Sequence, residues 1–220
     1  MRLFAVFGLG NFGSTVAVAL ADKGQSVLAV DLDPARVDEV RNKVTHAVVG
    51  DVTDPSFLSS VGISEVDEAL VALGDDLEAS VLTTLYLSES EVKHILVKGI
   101  SEEHESILLA VGAHQVVFPE NYMAKRLASS LAAPNIIDHI PLTEGYSIIE
   151  LVTPGAFHHK SLLELNLRRE YGVELLAIKR ADPDRDPDVV VVPGAGEVIE
   201  PDDKLIILGA EKDVEQLQEL

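Results

Sequence analysis

A glycine-rich turn near the start of the chain has the residue types and spacing of a phosphate-binding loop. Residues 8–13 read G-x-G-x-x-G, after a short apolar run and before a helical pattern. In such a turn Gly8 permits the tight bend, Gly10 lets the backbone approach the phosphates, and Gly13 lets the helix pack closely. The helix N-terminus then offers N–H groups to an anion. We predict nucleotide contacts at Gly8, Gly10, Asn11, Phe12 and Gly13.

An acidic residue follows at the spacing expected for a ribose ligand. Asp31 closes the apolar run Val27–Val30 and lies 18 residues after Gly13. A carboxylate at this place accepts hydrogen bonds from ribose hydroxyls and repels a 2′-phosphate. The pattern therefore disfavours NADP, whereas NAD, NADH, ATP and ADP all remain open.

Two further loops follow strands of the same predicted sheet, where ligands bind in open α/β folds. Asp51 and Val52 come after the third strand, and Gly74 and Asp75 come after the fourth. The Asp51 carboxylate either accepts a hydrogen bond from an adenine amine or caps a turn. We include these four residues in the predicted nucleotide site.

Catalytic patterns are missing from the sequence. There is no Tyr-x-x-x-Lys pair, since Tyr122 is followed four places on by Arg126, and neither a serine nucleophile elbow nor a Walker lysine occurs. A dehydrogenase also needs a proton-transfer group and a substrate pocket. We therefore predict no catalytic residue and no enzyme, with a nucleotide that is sensed and not consumed. A small NAD-dependent oxidoreductase is the alternative.

The elements that must position these residues alternate between short apolar strands and amphipathic helices. This order is typical of a Rossmann-like, doubly wound parallel sheet in the α/β class. The predicted strands are Leu3–Phe7, Ser26–Val30, Ala47–Val49, Glu68–Ala72, His94–Val97 and Gln115–Phe118. The predicted helices are Phe12–Ala21, Pro34–Lys43, Leu77–Ser88, Ser106–Val111 and Glu120–Leu131.

A boundary at Ala133-Pro134-Asn135 divides the chain into residues 1–135 and 136–220. The second part is predicted to be a small α+β domain of about 80 residues. A capping box at Ser161 and Glu164 opens a helix to about Tyr171. Its few helices leave an apolar sheet face exposed, which predicts self-association. The remaining predicted elements are strands Tyr146–Val152, Glu174–Lys179, Val189–Val192 and Lys204–Leu208, a polar turn Ala181–Asp188, and a closing helix Lys212–Leu220.

Composition excludes several classes of partner. The 220 residues carry a formal net charge of −20, which disfavours nucleic acid and anionic lipid surfaces. There is no cysteine, so no disulfide or thiolate site is available. No apolar run approaches the ~18 residues of a membrane helix. Any membrane role is therefore expected to act through a partner.

Several strings together carry a family resemblance along the whole chain. The sequence resembles the KtrA/TrkA-type RCK family, the cytoplasmic regulatory subunits of bacterial potassium uptake systems. The strings in the first part are Phe7-Gly-Leu-Gly-Asn-Phe-Gly13, Leu28-Ala-Val-Asp31, Thr45-His-Ala-Val48, Val81-Leu-Thr-Thr-Leu85, Val97-Lys98 and Pro119-Glu120. Those in the second part are Tyr146-Ser-Ile-Ile-Glu-Leu151, Leu165-Asn-Leu-Arg168 and Leu176-Ala-Ile-Lys179.

The resemblance implies an RCK N-domain, a crossover helix at about 120–131 and an RCK C-domain. It implies dimers that assemble into an octameric ring beneath a membrane potassium-translocating subunit of the KtrB/TrkH-like kind, at the inner face of the cell membrane. ATP and ADP would compete for the first domain, with ATP favouring the conducting form. Lys98 would join the nucleotide site, and Glu120 would approach the γ-phosphate through Mg²⁺ or another cation.

One residue departs from the pattern of the family. Many relatives carry arginine at the position of Asn11, where it reaches the terminal phosphate; an amide brings no charge there. This leaves both ATP/ADP and NAD(H) as ligands. The family also binds cyclic di-AMP between two C-domains, and Asn166 and Arg168 lie in the matching region. Alternatively, Arg168 complements the dipole at a helix end.

Overall fold

The computed structural model describes residues 2–74, 76–132, 136–143, 145–182 and 185–218. The chain forms two compact units, residues 1–119 and 120–220. The boundary predicted at residues 133–135 lies outside the described residues, and a domain division there stays a prediction. Within the described ranges, no helix is long and apolar enough to cross a membrane.

The first unit is built on a six-stranded parallel sheet with strand order β3-β2-β1-β4-β5-β6, which confirms the predicted fold class. The strands are β1 (Leu3–Phe7), β2 (Ser26–Asp31), β3 (His46–Val49), β4 (Glu68–Val71), β5 (His94–Lys98) and β6 (Gln115–Val117). The helices between them are α1 (Asn11–Asp22), α2 (Pro34–Val40), α3 (Pro55–Ser60), α4 (Leu77–Glu89) and α5 (Glu102–Ala110).

Apolar cores cover both faces of this sheet. Along β1, Ala5 and Phe7 join one core, whereas Val6 joins the other. Successive side chains of a strand point to opposite faces, so a strand buried on both sides has to be apolar throughout. This is why the strands of the first unit read as continuous apolar runs in the sequence.

Side-chain caps define where the helices of the first unit begin. Asp33 and Asp54 cap α2 and α3, accepting hydrogen bonds from Ala35 N–H at 2.9 Å and from Ser56 N–H at 2.8 Å. The helix predicted at Ser106–Val111 instead starts at Glu102. The preceding Ser101 caps it, and acidic residues are favoured in a first turn by the helix dipole.

The second unit contains a five-stranded antiparallel sheet with strand order β10-β9-β11-β8-β7. The strands are β7 (Ile136–Thr143), β8 (Tyr146–Val152), β9 (Glu174–Asp182), β10 (Arg185–Val191) and β11 (Lys204–Ala210). Its helices are α6 (Pro119–Ala132), α7 (Leu162–Leu165), α8 (Leu167–Glu170) and α9 (Glu211–Gln218). Residues 219–220 of the predicted closing helix lie outside the described residues.

The single helix predicted from Ser161 to Tyr171 is in fact two short helices. The capping box is confirmed, since Ser161 caps Glu164 N–H and the Glu164 carboxylate accepts from Ser161 N–H. Asn166 then adopts a left-handed conformation (φ 43°, ψ 48°) between α7 and α8. Asparagine tolerates this conformation better than most residues, so it interrupts the helix at this position.

The edges of the second sheet were predicted less well than its centre. The whole of β7 was missed, because the segment contains Pro141. Most of the polar turn predicted at Ala181–Asp188 is strand, with Pro187 inside β10. Both β7 and β10 are edge strands with irregular register. Proline lacks a backbone donor, so edge strands and bulges are where it is tolerated.

Helix α6 buries none of its side chains within the described chain. Four large apolar residues on it are exposed: Tyr122, Met123, Leu127 and Leu131. On the second sheet, Ile140 in β7 is also exposed. These surfaces are consistent with the predicted self-association, which itself stays a prediction.

Candidate nucleotide-binding site

The glycine turn is held between the ends of three strands. Gly8 has a left-handed backbone (φ +91°) and donates its N–H to Val30 O at 2.8 Å. A Cβ atom on Gly8 would lie 2.4 Å from Ala72 O, just beyond β4. Both the conformation and the packing therefore require glycine here. Ala72 therefore also constrains the residue at position 8, and the motif alone did not indicate this contact.

The other two glycines of the motif have separate roles. A Cβ atom on Gly13 would lie 1.9 Å from Gly8 O, so α1 can approach the turn only because residue 13 is glycine. A Cβ atom on Gly10, the N-cap of α1, would meet nothing within 4 Å. The space above Gly10 is therefore open to a ligand, as expected for the glycine at which phosphates approach.

Asp31 is tied to the glycine turn and to the segment that follows β2. Its Oδ2 accepts from Leu9 N–H at 2.6 Å, and its Oδ1 accepts from Asp33 N–H at 2.8 Å. The residue is 8% exposed, and Arg36 Nη1 lies 3.6 Å from its Oδ2. A carboxylate has about four acceptor positions, so two bonds leave capacity for ribose hydroxyls. The Leu9 N–H contact was not foreseen from the sequence.

The loop after β3 is organised by its own residues. Asp51 Oδ1 accepts from the Thr53 hydroxyl at 2.6 Å and from Thr53 N–H at 2.9 Å. These two bonds, the hydroxyl first, lower the pKa of Asp51. The turn-capping interpretation of Asp51 is thus realised, and its carboxylate remains exposed to solvent.

Two contacts anchor this loop to the rest of the unit. A Cβ atom on Gly50 would lie 2.1 Å from the Phe57 ring, so the loop packs tightly on α3. The buried Thr83 hydroxyl of α4 donates to Val52 O at 3.4 Å. Val52 itself is buried, so it offers a ligand its backbone more than its side chain. Thr83 lies in the Val81–Leu85 string of the family resemblance, from which this contact was not predicted.

The predicted residues of the first unit converge on one edge of the sheet. Gly8, Asp31, Asp51, Gly74 and Lys98 each lie at or just beyond the carboxyl end of a strand from β1 to β5. Strands β1 and β4 are neighbours, and the chain winds away from them in opposite directions. Ligands of open α/β sheets bind in the crevice at such a switch point. Asp75 lies outside the described residues.

The helix dipole at the turn favours an anion. The first turn of α1 holds no acidic residue, and the positive end of the dipole lies at Gly10, with the Asp31 carboxylate on the neighbouring Leu9. Asn11 is the first residue of α1 and is exposed. An amide there can hydrogen-bond a phosphate but adds no charge.

Glu120 lies in the first turn of α6, in the second unit. Among the described residues, no group of three or more His, Asp or Glu side chains could hold a metal ion. Mg²⁺ usually keeps several waters and binds through one or two carboxylates plus phosphate oxygens. Glu120 supplies a single carboxylate, and the predicted role with Mg²⁺ or another cation stays a prediction.

A second pocket, of about 240 Å³, lies in the second unit and includes both residues predicted for a second effector. Arg168 and Glu174 face each other in it, with Arg168 Nε 3.8 Å from Glu174 Oε2. The lining combines apolar side chains with one amide, one guanidinium group and one carboxylate. The residues are Leu162, Asn166, Leu167, Arg168, Val173, Glu174, Leu175, Pro193, Gly194 and Ala195.

The whole chain is similar to curated potassium uptake proteins. Ktr system potassium uptake protein C of Bacillus subtilis is 40% identical over 215 residues, which cover 98% of this chain and 95% of the relative. Ktr system potassium uptake protein A of Vibrio alginolyticus is 32% identical over 94% of this chain and 92% of its own length.

Solved structures with the same fold include the GsuK channel (TM-score 0.56, 23% identity) and the GsuK channel bound to NAD (TM-score 0.54, 22% identity). These cover 99% and 100% of this chain, which spans only 38% of either GsuK chain. The TrkA-N domain family matches residues 4–119, and the TrkA-C domain family matches residues 146–220. The chain therefore belongs to the KtrA/TrkA-type RCK family, with a TrkA-N domain followed by a TrkA-C domain.

Proposed function

We propose that this protein is a nucleotide-sensing regulatory subunit of a potassium uptake system. The observation that carries the proposal is the glycine turn at the switch point of the first sheet, with open space at Gly10 and the Asp31 carboxylate beside it. Relatives that match nearly the full chain are potassium uptake proteins. We infer that the nucleotide is a regulatory ligand and not a substrate, because the sequence lacks a recognisable catalytic pattern.

The nucleotide is either ATP/ADP or NAD(H). Asp31 favours a free 2′-hydroxyl in both cases, which argues against NADP. Asn11 supplies no positive charge to a terminal phosphate, and this reduces the advantage of ATP over a dinucleotide. A fold neighbour, the GsuK channel, has been solved with NAD bound, which supports keeping the dinucleotide among the ligands.

Regulation requires a conformational equilibrium that the nucleotide biases. The exposed apolar residues of α6 support assembly of dimers into an octameric ring. The ring would lie at the inner face of the cell membrane against a KtrB/TrkH-like potassium-translocating subunit. Two nucleotides can switch such a ring only if they bind its states with different affinities.

A second effector site is proposed in the second unit. The pocket that includes Asn166 and Arg168 has apolar side chains suited to a base. Its guanidinium group could exchange the contact with Glu174 for a phosphate. Cyclic di-AMP, which carries two adenines and two phosphates, is the proposed ligand. If two copies pair there, each pocket would contribute half of the site.

Calorimetry of the full chain with ATP, ADP, NAD and NADH, with and without Mg²⁺, tests the first site. We expect binding by at least one of the four. Gly10→Ala should weaken it at least tenfold, because the added methyl group occupies the open space. Gly155→Ala, a matched change where a Cβ atom also meets nothing within 4 Å, should leave it unchanged. A chain indifferent to all four nucleotides would contradict the proposal.

Potassium uptake tests the regulatory role. Cells without their own uptake systems would carry a membrane potassium-translocating subunit from the same genome, with or without this chain. Uptake should depend on the chain and respond to Gly10→Ala but not to Gly155→Ala. Light scattering should show assembly above the dimer. Turnover of NADH with small carbonyl compounds would favour the oxidoreductase instead.

A further inference from the structure

One guanidinium group connects three parts of the second unit. Arg180, in β9, donates from Nε and Nη2 to the two carboxylate oxygens of Asp203, both at 2.8 Å. Its Nη1 donates to Glu197 Oε1 at 3.0 Å, and its Nη2 also donates to Val198 O at 3.0 Å. Glu197 and Val198 belong to the segment between β10 and β11, residues 192–203, which we call the wall loop.

The wall loop forms one side of the second pocket. Pro193, Gly194 and Ala195 line it together with residues of α7 and α8. The loop backbone also bonds to the start of α7, since Leu162 N–H donates to Glu197 O at 3.0 Å and Leu163 N–H donates to Ala195 O at 2.9 Å. The position of the loop therefore sets the width of the pocket.

Hydrogen bonds hold the first half of the wall loop more than burial does. None of residues 192–198 is buried. Besides Arg180, the backbone bonds from Leu162 and Leu163 and the bridge between Ser161 and Val198 support it. By contrast, Asp203 at the far end is 1% exposed. Burial alone would raise its pKa, but the hydrogen bond and charge of Arg180 outweigh burial and keep the pKa below its usual value. The carboxylate is thus ionised at neutral pH and anchors the guanidinium.

We infer that Arg180 is a positioning residue of the second pocket, holding the wall loop at the distance from α7 and α8 that a ligand requires. Arg180 lies outside the pocket lining, so it acts through the loop and not by touching the ligand. A planar guanidinium fork is already organised for several acceptors at once, which a lysine cannot reproduce. The inference rests on the proposed function of this pocket.

The test uses the full-length chain and cyclic di-AMP as the probe. Glu197→Ala removes one of the contacts between Arg180 and the wall loop, while the bond to Val198 O and the fork to Asp203 remain, so the unit should still fold. Glu200→Ala is the matched control, because Glu200 lies in the same loop and pairs with His159 at 3.3 Å instead of Arg180. We expect Glu197→Ala to weaken cyclic di-AMP binding about three- to tenfold, because part of the wall loop would then have to become ordered when the ligand binds.

Hydrogen exchange and thermal unfolding distinguish positioning from general support of the fold. In Glu197→Ala, the amides of Leu162 and Leu163 should exchange faster, while the unfolding temperature should stay close to that of the unaltered chain. Arg180→Lys should weaken binding at least as much. In Glu200→Ala, neither binding nor exchange should change.

Two outcomes overturn the inference, and a third one concerns the proposed function. Unchanged affinity in Glu197→Ala overturns it, and so does an equal loss of affinity in Glu200→Ala. If the unaltered chain does not bind cyclic di-AMP, the proposed ligand of the pocket is wrong. The exchange rates of Leu162 and Leu163 then still decide whether Arg180 positions the loop.

Discussion

The two units hold their candidate sites by different means. In the first, the glycine turn is held by backbone bonds and close contact, such as Gly8 N–H to Val30 O and the approach of Gly13 to Gly8. In the second, side-chain charges centred on Arg180 and Asp203 help to hold the pocket wall, in addition to its backbone bonds with the start of α7. A backbone-held site depends on residue size, whereas a charge-held site depends on partners that remain ionised.

This difference follows from the two sheets. A parallel sheet buried on both faces leaves polar groups only at the ends of its strands, so the ligand meets backbone and loop residues there. An antiparallel sheet can leave one face or edge to solvent, where long charged side chains fit. The first unit is therefore expected to tolerate loss of a charge better than loss of a glycine, and the second unit the reverse.

The largest effect is expected from removing the central charge of the second unit. Arg180→Met leaves the buried Asp203 carboxylate without its partner, which should destabilise that unit by about 3–5 kcal/mol. Native-state hydrogen exchange, read separately on β11 and on β1, measures this. The amides of β1 should keep their protection from exchange. An equal loss of protection in β1 and β11 would show that Arg180 does not stabilise the second unit specifically.

A smaller loss is expected from a methyl group in the glycine turn. Gly13→Ala places a Cβ atom against Gly8 O. The free energy of unfolding of the first unit should therefore fall by about 1–3 kcal/mol, and nucleotide binding should be lost as well. Gly10→Ala should weaken nucleotide binding. It should lower the free energy of unfolding by less than about 1 kcal/mol, because it removes only a favourable N-cap residue. Denaturant unfolding and calorimetry give the two quantities. Equal stability losses would contradict the separate roles of the two glycines.

The pH dependence of the first unit should come partly from His104. This residue of α5 is 2% exposed, and its ring nitrogens have no hydrogen-bond partner among the described residues. Burial lowers its pKa, so below about pH 6.5 the unfolded chain binds a proton more readily than the folded one. Stability should therefore fall on acidification, by at most about 1.4 kcal/mol per pH unit.

His104→Leu should remove this part of the pH dependence between about pH 6.5 and 5. His46→Gln is the control, because His46 is exposed. Unfolding experiments at several pH values give the slope for each variant. Identical slopes for all three chains would show that His104 does not titrate differently in the folded and unfolded states.

The smallest effect is a change of ligand preference. Asn11→Arg adds a charge at the exposed start of α1, where a terminal phosphate would approach. ATP affinity should rise about three- to tenfold relative to NAD, since one charge-assisted bond is gained near solvent. Competition calorimetry measures the ratio. Asn166→Arg, a matched change in the second unit, should not alter it.

The same contrast explains which features could be predicted from the sequence. Each strand of the first sheet has a short apolar run, and all six were located to within about one residue of their observed ends. The glycine turn also has a spacing that depends on backbone geometry alone. These are local signals, and the structure contains them where they were expected.

The second unit depends on contacts between distant residues. Arg180 meets Asp203 and Glu197 only because β9, β11 and the wall loop are brought together, and no spacing in the sequence indicates that. Strand β7 was missed because proline normally argues against a strand, whereas an edge position tolerates it. In the first unit, the Leu9 and Thr83 contacts were missed for the same reason, since both join residues far apart in sequence.

The two hydrogen bonds of Asp31 have a consequence for genetics. The carboxylate already joins Leu9 and Asp33 before any ligand arrives, so a mutation there would impair folding and ligand binding together. Alleles that separate sensing from protein abundance should instead arise at Gly10 and Asn11, whose side-chain positions face open space or solvent. A selection for protein that is normally abundant but no longer responds to the nucleotide would be expected to recover those two positions and to avoid Asp31.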